Sequence, residues 1–373
     1  MVRSLVLGGV AWFGVSVFST LVSHTEKNST VTDNYAFYQP LPDNTPFFVL
    51  PKTVCHDFSR VEEKLQSAAH LTKHLSIVIK QHGETIYSKT FTEGNTETPI
   101  PAASMAKWLS TAAILSLDDA GLLSIDDPVG KYFPRLSAKK GGIKIRELLS
   151  HTSGFPPHGT MPFQSVLGLG RRIGPVASLN HLVATPGKRF CYGSVSYQIA
   201  GKIAELVTGQ SWEEIFEQRI ATPCGMQNTW FSYKSPILAE GVRTSASDMS
   251  RFLEMIRNRG VAESGRRVLS EKMIARMTDN HSHELAIECK PNIYRPGQTY
   301  GLGVWRDVLD PATGKVMVIS HNGSSGFKGV VDNRRDATIS VAAWFKKRRK
   351  QRRLAKGLFR EIRELLINTI PRS

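Results

Sequence analysis

Apolar and polar positions change rhythm three times along the chain. From Asp57 to His70 the apolar residues recur at helical spacing, which predicts one helix. "LSIVIK" and "TIYSKTF" follow, two β-rich runs flanking a short break at Gln81, His82 and Gly83, the pattern of a β-hairpin. From Ser104 to about Arg259 the helical period returns, with helices predicted at 104–120, 195–208, 211–220 and 246–258 between Gly- and Pro-rich loops. Strand patterns reappear only in "YGLGVW", "KVMVIS", "FKGVVD" and "TISVAAWF". The C-terminal third is therefore expected to complete the sheet that the early hairpin starts. This predicts a mixed α/β subdomain built from about 56–100 and 295–370, a helical subdomain over about 104–290, and a cleft between them. Leu354, Leu358, Ile362, Leu365 and Leu366 share one late helical stripe, read as core-facing.

The two ends change the picture. Residues 5–22 are apolar and uncharged just after Arg3, so residues 1–23 read as a cleaved export signal or a retained N-terminal anchor. Either puts the main domain outside the cytosol, secreted or membrane-anchored; a mitochondrial transit peptide fits poorly, because Arg3 is the one Arg or Lys in the first twenty-five residues. Residues 24–55 read as an extended linker, with the sequon Asn28-Ser29-Thr30 and prolines at Pro40, Pro42, Pro46 and Pro51. With 373 residues and 41% hydrophobic content, what remains can bury a sizeable core. Of the net charge of +16, "KKRRKQRR" at 346–353 supplies seven, leaving +9 elsewhere. That mild bias suits anionic surfaces and does not call for nucleic acid; residues 5–22 and the basic run are the two candidates for membrane association. Cys55, Cys191, Cys224 and Cys289 form no C-x-x-C pair, which argues against zinc; one or two disulfides, or four thiols, are equally open. No other metal or cofactor motif is read.

Candidate chemistry begins with "PAASMAKWLS". Ser104 and Lys107, three apart where a helix opens, share a face and can meet. A helix N-terminus and burial both disfavour an ammonium. A neutral Lys107 could then take the proton of Ser104 and make it an acylating nucleophile. "CYGSVSYQIAG" places Tyr192 and Ser194 just ahead of a helix, and "VISHNGSSGF" places His321, Asn322, Gly323 and Ser324 at a strand end.

The order S-x-x-K, Y-x-S, H-x-G resembles the penicillin-recognising serine hydrolases: serine β-lactamases, penicillin-binding proteins and their esterase, D-aminopeptidase and mitochondrial serine β-lactamase-like relatives. "AGLLSIDDPVGKYFP", "IRELLSHTSGF", "PGKRFCYGSVSYQIAGKIAELVTGQSWEEIFEQRIATPCGMQNTWF" and "GVRTSASDMSRFLEMI" extend the resemblance, to the class C branch, over about residues 57–370. It implies an antiparallel sheet flanked by helices plus an all-helical subdomain, and a metal-free, cofactor-free hydrolase working through an acyl-enzyme. Ser104 would be acylated, Lys107 would be its proton partner, and Tyr192 a second acid/base that activates the deacylating water. Two nearby cations are expected to lower the Tyr192 phenol from its usual value near 10. The backbone N–H groups of Ser104 and Ser324, the latter on the strand, would form the oxyanion hole, with Ser194, His321, Asn322 and Gly323 binding substrate.

Two departures shape the substrate expectation. Ser194 stands where Asn is usual, and His321 where these enzymes carry the lysine of K-T-G. Histidine is largely neutral at pH 7, so a substrate carboxylate loses its fixed cation, and small-molecule esters or peptide-like amides fit better than β-lactams. D-alanyl peptidase or β-lactamase action, acyl transfer, and a non-catalytic ligand-binding or scaffold member are the rivals. A glycan at Asn322 would block the cleft, so that sequon is expected to stay unmodified. Trp212 and Trp230 are read as packing residues, and His151 and Ser153 as turn-bonding ones.

Overall fold

The computed structural model describes residues 56–158, 181–231, 237–282, 285–289, 291, 297–346 and 369–370, all within one unit, Cys55–Ser373. The export segment, the linker, the stripe at 354–366 and the basic run beyond Lys346 lie outside the described residues.

Helix α1 (Ser59–Ala69) buries Val61, Leu65 and Ala68, the i, i+4, i+7 face its sequence carries. Strands β1 (Thr72–Gln81) and β2 (Glu84–Thr90) form the hairpin, turned by His82 and Gly83, both at positive φ. Strand β3 (Ile100–Pro101) runs into a 3₁₀ turn, Ala103–Met105, and then α2 (Ala106–Asp119). Next come α3 (Ala138–Gly141), α4 (Ile145–Leu149), β4 (Arg189–Cys191), α5 (Val195–Thr208) and α6 (Trp212–Phe216). A π-helical turn, Glu217–Ala221, follows α6, so the helix predicted over 211–220 changes its winding halfway. Strands β5 (Trp230–Phe231) and β6 (Val242–Thr244), α7 (Ala246–Arg257), α8 (Glu271–Thr278) and β7 (Ala286–Cys289) complete the middle. The end supplies β8 (Thr299–Tyr300), β9 (Trp305–Leu309), β10 (Val316–Asn322), β11 (Lys328–Asp332) and β12 (Ala337–Phe345).

Seven strands form one antiparallel sheet in the order β2-β1-β12-β11-β10-β9-β8. Its centre is covered on both sides, which is why β1 and β12 read as almost continuous apolar runs. Ile77, Ile79, Val341 and Ala343 pack in the cluster that holds α1, whereas Val78 and Ala342 join the larger cluster around α2, α5 and α7. Helix α2 is buried all round, every residue from Ala106 to Leu117 being enclosed, including Lys107, Ser110, Thr111 and Ser116.

"YGLGVW" is a tight hairpin turn instead of a strand: Tyr300 and Trp305 pair across Gly301–Val304. A Cβ on Gly303 (φ 69°) would stand 2.2 Å from Thr111 Oγ1 and 2.8 Å from the Lys107 carbonyl oxygen, so this turn presses its bare backbone against α2. Trp212 is fully buried, but Trp230 is 36% exposed on an edge strand and is not the packing residue predicted. Of the cysteines, Cys191 and Cys289 form a disulfide that ties β4 to β7, and Cys224 is a buried thiol.

Candidate active site

Ser104 sits in the 3₁₀ turn that opens α2, directly after Ala103, whose φ of 48° is unusual for a residue with a side chain. Lys107, one turn on, is 2% exposed. Its Nζ lies 3.3 Å from Ser104 Oγ, donates to the Ala239 carbonyl at 3.0 Å, and stands 4.6 Å above the centre of the Tyr192 ring. Burial pushes the ammonium down from 10.5 to about 7, with Glu240 pulling weakly the other way. The amine beside the serine is thus shifted far towards its neutral, proton-accepting form.

Tyr192 leaves the end of β4 and points at the same place. Its hydroxyl hydrogen-bonds with Ser104 and lies 3.5 Å from His321 Nε2. The expectation that neighbouring cations lower this phenol does not hold. Dense packing around the hydroxyl raises it above its usual value, Tyr197 and Glu240 add to the rise, and the bond to Ser104 offsets only part. His321 is no cation: fully enclosed, and facing Lys107, it is pushed down to about 3.

The His321 tautomer follows from its neighbours. His321 Nδ1 accepts the backbone N–H of Asn322 at 2.9 Å and lies 3.2 Å from the Asn322 carbonyl; the shorter contact favours the tautomer with its ring hydrogen on Nε2. Two phenol oxygens share that hydrogen, Tyr300 at 3.3 Å and Tyr192 at 3.5 Å. Tyr300 in turn contacts Tyr197, which donates to the Leu149 carbonyl at 2.9 Å. A connected polar line therefore runs from Lys107 and Ser104 through Tyr192 and His321 to the buried Tyr300.

The remaining candidates fall at different distances from this line. Asn322 ends β10, opposite Lys328 on β11. A Cβ on Gly323 would meet the Ala102 carbonyl oxygen at 2.0 Å, so only glycine lets the strand end approach the turn that carries Ser104. Ser324 is exposed in the β10–β11 turn and not on the strand, its N–H group just beyond that approach. Ser194, buried, occupies the residue before α5 without a side-chain capping bond, and its backbone N–H donates to the Pro157 carbonyl at 2.9 Å. Three participants escaped the sequence reading. Tyr300 was hidden in a segment read as plain strand, Tyr197 looks like one more apolar position of α5, and Ala239 acts through its backbone.

Several curated and solved proteins are similar to this chain. Penicillin-binding protein 4 of Amycolatopsis lactamdurans is 28% identical over 219 residues, covering 49% of this chain and 57% of that protein. Monacolin J acid methylbutanoyltransferase of Aspergillus terreus is 28% identical over 164 residues, 36% of this chain and 38% of that protein. The chain thus spans little more than half, or less, of the length of these curated relatives. A solved structure, a putative β-lactamase from Bacteroides dorei, superposes with a TM-score of 0.72 at 26% identity, covering 82% of this chain and 98% of that one. The Beta-lactamase family model matches residues 62–359, most of the sequence and every candidate residue above, and the chain belongs to that family.

Proposed function

We propose that the protein is a serine hydrolase that works through an acyl-enzyme on ester substrates, and on peptide-like amides more slowly. The observation that carries this reading is the buried Lys107 amine 3.3 Å from Ser104 Oγ, whose burial favours its neutral form.

Neutral Lys107 takes the serine proton as Ser104 Oγ bonds the acyl carbon. The oxyanion that forms is held by the N–H groups of Ser104 and Ser324. When it collapses, the alcohol leaves with the proton of Tyr192, and the Lys107 ammonium restores the phenol. Water then adds to the acyl carbon, giving its proton to Lys107. Ser104 Oγ leaves with the proton of Tyr192, which Lys107 again replaces. One ester and one water give one acid and one alcohol, and each side chain returns to its starting state. A phenol held protonated by burial suits the acid role. The first base in this scheme is Lys107.

Substrate choice follows from His321. Being neutral, it leaves no fixed charge where a carboxylate would sit, and a neutral ester brings no charge to strand there. A D-alanyl peptide or a β-lactam would bring that carboxylate. The Cys191–Cys289 disulfide supports a location in an oxidising compartment, in keeping with the export-like segment at 5–22.

The test is the ratio of kcat/KM for p-nitrophenyl butyrate to that for the β-lactam nitrocefin. The ester should lead by at least about tenfold, the cost of one unpaired charge contact. Comparable turnover of nitrocefin would overturn the substrate reading, and no turnover of either, in folded protein, would overturn the hydrolase reading.

A further inference from the structure

His151 takes no part in the steps above, yet it meets the Tyr192 segment at three points. It follows the end of α4 with φ at 62°, in the left-handed region. Its carbonyl accepts the N–H of Cys191 at 2.9 Å. Its ring Nδ1 accepts the N–H of Gly193 at 3.3 Å. Its ring centre lies 4.4 Å from that of Tyr192. The residues on either side of Tyr192 are therefore both hung from one residue, whose ring also supports the phenol.

Two further facts mark this contact as more than a turn bond. Nδ1 accepts, so the ring hydrogen is on Nε2, and that atom is buried without a hydrogen-bond partner among the described residues. The ring keeps its orientation with a donor that has no partner among the described residues, surrounded by the rings of Phe190, Tyr192, Tyr197 and Tyr300. The charged and titratable groups facing it are Lys107, Tyr192, Tyr197, Tyr300 and His321, with Glu240 acting on Tyr192 and Lys107. Burial, with Lys107 and His321 adding to it, holds the imidazole neutral. The Nδ1 lone pair therefore stays available across the working pH range.

We infer that His151 is a positioning residue for the reaction: it fixes Tyr192 by accepting the N–H groups of Cys191 and Gly193 and by backing the phenol ring. The inference rests on the acyl-enzyme reading, in which Tyr192 serves alcohol departure and deacylation while Ser104 and Lys107 suffice for attack.

Two variants separate this from a general folding role. His151→Gly fits the positive φ but offers no acceptor to Gly193; His151→Asn tolerates the same φ and keeps a side-chain oxygen. In p-nitrophenyl butyrate turnover, His151→Gly should lose about 10- to 100-fold in kcat, the scale of a misplaced catalytic group, with KM unchanged or lowered as slower deacylation lets acyl-enzyme build up. Its pH profile should drop without moving along the pH axis, and Ser104 labelling by a fluorophosphonate should fall far less than turnover. His151→Asn should recover much of kcat. A His151→Gly protein with native Tm and a kcat within about twofold of wild type overturns the inference, as does labelling that falls as far as turnover. Wild type that neither labels nor turns over overturns the acyl-enzyme reading instead. The clamp is then read from amide exchange at 191–193, faster in His151→Gly than in His151→Asn if it exists and equal if it does not.

Discussion

Replacing Lys107 by methionine should stabilise the protein while removing its chemistry. The amine is driven from 10.5 to about 7 by burial, a difference worth about 5 kcal/mol in favour of the neutral form. Unfolded chains keep the lysine proton up to about 10.5 and the native state only up to about 7, so between those values the unfolded state binds more protons and stability rises with pH. Below pH 7 both states are protonated, and the native fold carries the whole penalty. Methionine has no charge to bury. It also leaves the Ala239 carbonyl without its donor, a loss of about 1–3 kcal/mol. The net gain at pH 6 is therefore about 2–4 kcal/mol, shrinking towards pH 10. Urea midpoints of both proteins at pH 6 and pH 9 measure it. In wild type, fluorophosphonate labelling of Ser104 should rise about tenfold per pH unit below 7 and level off above it. A variant no more stable than wild type at pH 6, or labelling that climbs on to pH 10, would refute the view of Lys107 as a buried base.

Other outcomes follow from the same geometry. Tyr192→Phe should slow deacylation, so that intact mass shows acyl-enzyme accumulating with p-nitrophenyl butyrate; a variant that turns over like wild type would remove Tyr192 from the reaction. Gly323→Ala should cost about 1–3 kcal/mol and at least about tenfold in activity, since its Cβ must displace the Ala102 carbonyl; unchanged denaturation and kinetics would contradict the close approach. Reducing the Cys191–Cys289 bond, which closes a loop across 98 residues, should cost up to about 4–5 kcal/mol and lower kcat, because Tyr192 donates its N–H to Cys289. Full activity in dithiothreitol, with thiol titration proving reduction, would rule that out.

Periodicity carried most of the fold. The strands around Val318, Val330 and Ile339 and the helices at Val195 and Ala246 have strong enough patterns to be read directly. What escaped depends on partners distant in sequence. "YGLGVW" carries strand-forming residues, but Gly301 and Gly303 turn the chain where it meets α2. Cys191 finds Cys289 rather than Cys224 because β4 and β7 lie side by side, a pairing that spacing does not encode. At the site, motif order identified Ser104, Lys107, Tyr192 and His321, all of which the structure brings together. The state of the phenol was misread for a physical reason. Residue types reveal which charges are near, whereas the fate of Tyr192 is decided by how many atoms surround its hydroxyl. His151 was visible only as a turn residue, since the N–H groups it accepts and the rings it touches belong to segments about forty residues on or further.

The most direct measurement is the intact mass of the folded protein after reaction with a fluorophosphonate, run beside Ser104→Ala. One probe adduct on wild type, located to the peptide containing Ser104 and absent from the alanine variant, is the expected result. Equal labelling of Ser104→Ala, or folded wild type that stays unlabelled at pH 9, would contradict the assignment of Ser104 as the nucleophile.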